Sequence, residues 1–191
     1  MNGRDVPYRQ IRAHFDSRTI TVYQAYMPEI ADAAVKAGIF VAPFSLTRMT
    51  WIKPSFLWMM YRCGWASKPG QERVLAVRIT RAGFEEALSS ACLTHFDPDV
   101  HPDHDSWREA LGRSEARVQW DPERTMSGTP LPYRSLQVGL SGGLVERYVR
   151  EWIVGIDDIT PDLPAIRTGR TPLPDERPYP LPATVTATIA A

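Results

Sequence analysis

The chain has 191 residues, 43% hydrophobic and 23% charged, with a formal net charge of zero. That is enough for one domain with a real core, and the balance argues against a disordered chain or one of the strongly basic nucleic-acid binders. Cys63 and Cys92 lack metal-ligand spacing, no run reaches membrane-spanning length, and M-N-G-R-D-V-P-Y has no apolar leader segment, so a cytoplasmic protein with reduced thiols is expected.

Residues 1–18 are polar and carry Arg4, Arg9, Arg12 and Arg18. Tyr8, Ile11 and Phe15 recur at helical spacing, with Arg9 and Arg12 three apart on another face. Two such arginines can grip one phosphate. Thr19 to Tyr26, T-I-T-V-Y-Q-A-Y, reads as a strand. Gln24 falls on its apolar line, so it either makes a structural hydrogen bond or touches a ligand. Pro28 opens a helix that Gly38 closes, and Ile39 to Phe44 reads as a short strand.

Thr47 to Trp65, T-R-M-T-W-I-K-P-S-F-L-W-M-M-Y-R-C-G-W, is the stretch on which the rest is organised. Pro54 suits a first helical turn, and Pro54 to Cys63 is apolar on nearly every side. It is too short to cross a bilayer, so it is expected to be a buried central helix. Arg48 and Lys53 precede it, where a helix N-terminus already favours anions.

Val74 to Thr80 is a second strand, and Arg81 to Cys92 a helix. Residues 93–105 hold His95, His101 and His104 among aspartates without regular metal-ligand spacing, and an acidic surface turn fits them better than a metal site. Ser106 to Glu109 matches a capping box. Ala116 to Trp120 is a third strand, running into a turn at Asp121-Pro122-Glu123-Arg124. A carboxylate at a strand end is a common place for a general base, which makes Asp121 a candidate. Tyr133 to Leu140 is a fourth strand bearing Gln137, and Ser141 can cap the next helix. After Ile166 the prolines multiply. Residues 1–166 are therefore expected to form a single globular domain, and 167–191 a Pro-rich tail, surface-clinging or disordered.

The strings I-R-A-H-F-D, I-T-V-Y-Q-A-Y, R-M-T-W-I-K-P-S-F-L-W-M-M-Y-R-C-G-W, Q-E-R-V-L-A-V, V-Q-W-D-P-E-R, Y-R-S-L-Q-V-G-L and V-E-R-Y-V-R-E-W-I resemble the DUF4291 family over roughly Tyr8 to Ile166. The family name carries no activity. The order of Tyr23-Gln24-Ala25-Tyr26, the Pro28 helix, Gly38-Ile39-Phe40 and Ser135-Leu136-Gln137 is also similar to the ADP-ribosyltransferase fold. That resemblance implies an α+β domain with a small split mixed sheet around the buried helix, and NAD as a bound molecule. The last strand carries Gln137 where that fold has a glutamate, so relatives that remove a phosphate from RNA are the better analogy.

The charge is split: residues 1–80 carry eleven Lys/Arg and five Asp/Glu, and residues 81–191 carry eleven and seventeen. This points to a basic ligand face, or to two halves that interleave and cancel. No Walker loop, G-x-G-x-x-G or G-x-S-x-G is present. The expected function is a transferase processing a nucleotide or phosphorylated nucleic acid. Arg9, Arg12, Arg48, Lys53 and Arg134 would bind phosphate, and Trp51 or Tyr23 would stack on a base. Asp121 would serve as base, with Gln24 and Gln137 orienting the ligand. The alternative is a non-catalytic module binding single-stranded nucleic acid or a nucleotide.

Overall fold

The computed structural model describes residues 6–191, so Arg4 lies outside the described residues. The backbone forms two principal sheets. In the first, β2 (Thr19–Tyr26) pairs antiparallel with β4 (Arg73–Thr80), from Thr19 opposite Thr80 to Tyr26 opposite Arg73. β8 (Ile153–Asp158) completes it on the other side of β4. In the second, β3 (Thr50–Ile52), β7 (Pro130–Leu140), β6 (Ala116–Arg124) and β5 (Ala91–Leu93) lie side by side in that order. The β5–β6 pair is parallel and the other two pairs are antiparallel, so the sheet is mixed.

The two sheets meet where Tyr23 of β2 bridges Lys53, just past the end of β3. This is an α+β fold with a split mixed sheet. The central helix is α2 (Phe56–Cys63), in which Phe56, Trp58, Met59, Met60 and Cys63 are buried. Apolar side chains on most of its faces hold it in the interior, with Tyr61 and Arg62 left exposed, and each fully buried one contributes about 1.5–3 kcal/mol. α2 packs against β2 of one sheet and β6 of the other, and α3 (Arg81–Ser89) likewise touches both. α1 (Pro28–Ala37) covers β4 and β8.

Tertiary pairing overrides several local preferences. The helical spacing near the N-terminus yields no helix. Arg12–Ala13 is a short strand, β1, because β9 (Arg177–Pro178), from the far end of the chain, offers it a partner. Ile39 to Phe44 is a turn containing a cis Ala42–Pro43 peptide, with Phe40 and Phe44 stacked. α2 begins at Phe56 and not at Pro54, since Ser55 accepts from the Trp58 N–H and caps it. α3 stops at Ser89, and Cys92 lies on β5, drawn into pairing by β6. Asp103, not Ser106, caps α4 (His104–Arg113). Asp121 to Arg124 is not a turn, because β6 continues through it with a bulge that accommodates Pro122. Ser141 donates to the Glu115 carbonyl, and Gly142 stands at the cap of α5 (Gly143–Arg147).

Ile166 ends no packing unit. Beyond the short α6 (Leu163–Arg167), the Pro-rich segment crosses the surface to β9 and ends in α7 (Ala183–Ile189). Tyr179, Val185 and Ile189 are buried in the main core beside Phe84 and Leu93.

Candidate functional site

A cleft of about 610 Å³ opens at the split between the sheets. Beyond the Tyr23–Lys53 bridge, β2 and β3 share no ladder, and side chains span the gap. Gln24 donates to the Thr50 hydroxyl at 2.6 Å and to the Tyr26 hydroxyl at 2.7 Å, and accepts from the Tyr148 hydroxyl at 2.6 Å. Tyr148 opens a π-helical turn, Tyr148–Trp152. Burial raises the Tyr148 and Tyr26 hydroxyls, the latter to about 12, so both stay protonated and neutral. Gln24 is thus a strut in the wall, its amide filled by protein partners.

The cleft gathers five residues expected at a site: Gln24, Arg48, Trp51, Lys53 and Gln137. It adds Arg62 from the last turn of α2, and Gln71 from the following loop. Arg48 and Arg62 are exposed and Lys53 is buried, yet none of the three pairs with a carboxylate among the described residues. Among the described residues no Asp or Glu lines the cleft. Trp51 lies opposite Gly139 of β7, where a Cβ would come within 2.9 Å of the indole. The missing side chain is what seats the Trp51 ring beside the opening.

Lys53 is 6% exposed. Its Nζ donates to the Trp51 carbonyl at 3.1 Å. Burial, and then the Arg62 charge, push the amine down to about 7, while Cys63 and Asp121 pull the other way. An amine so placed divides between ammonium and free base near neutral pH.

The remaining expected residues lie elsewhere. Arg9, Asp121 and Arg134 line a second cleft of about 330 Å³ with Tyr8, His95 and Trp120. Arg9 is bound there to Asp97 at 2.6 Å, so it does not join Arg12 in a phosphate clamp. Arg12 instead donates to the Glu176 carbonyl, and with no helix beneath them the two guanidiniums have separate tasks. Arg134 donates to the Tyr8 hydroxyl. Asp121 lines the second cleft and not the first, and its oxygens accept from Gln119 at 2.9 Å and Gln137 at 2.7 Å. Both oxygens are engaged, which argues against the expected role as a free base. Tyr23 is buried edge-on against Phe56 and has no open face for a base.

The N-terminus of α2, expected to receive an anion, is already filled by a carboxyl group from the tail. The Glu176 carboxylate accepts from the Phe56 N–H at 2.6 Å. Burial raises Glu176 to about 8, with the Phe56 N–H acting against it and neighbouring Glu123 adding to it. Burial raises Glu123 too. The loop histidines separate: His95 meets Thr94, His101 lies 3.8 Å from Cys92, and His104 stacks on Phe96. Among the described residues no group of three or more His, Cys, Asp or Glu is placed to hold a metal.

Sequence reasoning passed over Arg62 as a site residue, although its spacing from Met59 puts both on the helix face that looks into the cleft. Tyr148 had no signal, because its partner Gln24 is 124 residues away.

Fold and site together define an α+β protein with a cationic cleft at a split sheet. The family model described as a domain of unknown function, DUF4291, matches residues 10–176, and the chain belongs to that family. The match ends at Glu176, the residue that seals α2. No curated protein matches the chain.

Proposed function

We propose that the cleft binds the phosphates of a nucleotide or of a phosphorylated nucleic-acid end, and that the protein is a transferase acting there. One observation carries this reading: three cations and an indole border the cleft, and among the described residues no carboxylate does. Arg48 and Arg62 would grip phosphate oxygens by forked hydrogen bonds. Trp51 would stack on a base, worth about 1–3 kcal/mol. Gln71 and Gln137 would orient sugar hydroxyls, Gln137 through the amide that Asp121 fixes.

NAD fits this cleft in part. The arginines suit its pyrophosphate, and Trp51 suits an adenine. At the reacting ribose the position of a carboxylate is held by Gln137, which is neutral and tied to Asp121. Phosphate transfer therefore suits these side chains better than ADP-ribose transfer. A binding module without chemistry would use the same cations, and the condition of Lys53 is what favours an enzyme. Two buried free cysteines fit a reducing, cytoplasmic setting. Among the described residues no helix is long and apolar enough to cross a membrane.

The experiment is a thermal-shift titration of the full chain with ADP, pyrophosphate, NAD and a 5′-phosphorylated oligonucleotide, with adenosine as the uncharged control. Stabilisation by the phosphorylated probes and not by adenosine is the expected result. Equal responses to ADP and adenosine, or none to any probe, would refute the phosphate reading.

A further inference from the structure

Lys53 does not fit the role of a phosphate clamp that its charge suggests. A clamp must stay cationic and reach out to the ligand, as the exposed Arg48 and Arg62 can. Lys53 is sunk at the bridge between the sheets, and among the described residues the one hydrogen bond of its amine goes to the Trp51 main-chain carbonyl. That bond leaves the nitrogen free to hold or release a proton. The charges that act on it are of opposite sign, Arg62 from α2 and Asp121 from β6, with the Cys63 thiol of α2 as a third titratable neighbour. Arg48 borders the same cleft from the loop before β3.

We propose that Lys53 is the proton acceptor of the cleft, serving the attack of a hydroxyl group on a phosphate ester or anhydride held by Arg48 and Arg62. The proposal rests on the phosphate reading of this cleft. The Nζ lone pair takes the proton of the incoming hydroxyl as its oxygen bonds to phosphorus. The bond from phosphorus to the leaving oxygen breaks, and its electron pair departs with that oxygen. The ammonium then returns the proton to the leaving group, so the amine is regenerated and no further reactant is consumed. Asp121, behind Gln137, is a positioning residue whose negative charge favours the ammonium while it lasts. Division of labour follows from chemistry: guanidiniums keep their charge at every working pH, whereas a buried amine with a value near 7 can change its own.

The chain contains only three lysines, Lys36, Lys53 and Lys68, which permits a direct test on the unmodified protein. Full-length chain is pulsed with a trace of acetic anhydride from pH 5 to pH 10, and each lysine is read by peptide mass spectrometry, with and without ADP. Exposed Lys36 and Lys68 serve as the internal comparison for lysines open to solvent. Lys53 should rise only to about pH 7–8 and then level off, and ADP should protect it at least fivefold. A Lys53 profile parallel to Lys36, or no labelling of Lys53 at any pH, overturns the proposal. So does ADP that stabilises the protein but leaves Lys53 unprotected. A levelled profile with ADP giving neither protection nor stabilisation would keep the reactive amine but refute the phosphate reading, and with it the transfer step. The two failures are thus distinguishable.

Discussion

The backbone N–H of Tyr23 donates to the carbonyl of Lys53 across 2.7 Å, and at that bond the two sheets meet. On one side of it β2 and β4 continue a regular ladder. On the other side β2 and β3 separate, and the Gln24 amide replaces backbone pairing by reaching Thr50. The cleft exists because the ladder ends there, and Lys53 is buried because it stands at the junction.

Gln24→Leu should remove the strut while keeping the volume. It would leave the Tyr148 hydroxyl without its buried partner, while the Thr50 and Tyr26 hydroxyls keep each other, at a cost of about 1–3 kcal/mol. Thermal melting followed by circular dichroism should show a fall of several degrees. An unchanged melting temperature would mean that Gln24 does not hold the split together.

Gly83→Ala tests the support behind that strut. A Cβ at Gly83 would run into the Trp152 ring, in the π-helical turn that begins with Tyr148. Both groups are buried, so neither can step aside, and overpacking of this kind costs about 1–3 kcal/mol or more. The midpoint of urea unfolding should fall accordingly.

Arg48→Ala and Arg62→Ala should behave in the opposite manner. Both side chains are exposed and unpaired among the described residues, so stability should change by no more than about 0.5 kcal/mol. Each should weaken ADP about tenfold in isothermal titration, the value of one charge-assisted hydrogen bond. Wild-type affinity in both variants would show that the cleft is not the anion site.

Lys53→Met should raise stability, and by more at pH 6 than at pH 9. The folded value near 7 lies below the ordinary one of 10.5, so between them the folded chain binds fewer protons than the unfolded. Wild-type stability from this group therefore rises with pH across that window, by up to about 1.4 kcal/mol per unit, and the burial penalty is full below pH 7. Removing the amine removes the slope. Urea titrations of both proteins at the two pH values measure it.

Glu176→Gln should do the reverse. Its folded value of about 8 lies above 4.5, so the folded chain binds more protons in between, and wild-type stability from this group declines as pH rises through 8. Glutamine keeps an oxygen for the Phe56 N–H without the titration. The variant should gain on wild type between pH 5 and pH 9 in the same urea measurement.

What the sequence determined by itself is what periodicity, burial and quoted strings carry. The alternation of Thr19 to Tyr26 specifies a strand, and the all-round apolar run ending at Cys63 specifies a buried helix. With the family strings, these suffice for the α+β class and for the cations on either side of that helix. Tertiary structure alone decided which of those cations share a cleft. Arg9 and Arg12 look paired along the chain, but Asp97 and the tail divide them. Asp121 looks free at a strand end, but Gln137 from the adjacent strand occupies it. Lys53 reads as an ordinary cation until β2 covers it. The physical reason is that a side chain's charge and reach depend on desolvation and on partners many residues away, and neither is written in the residues next to it.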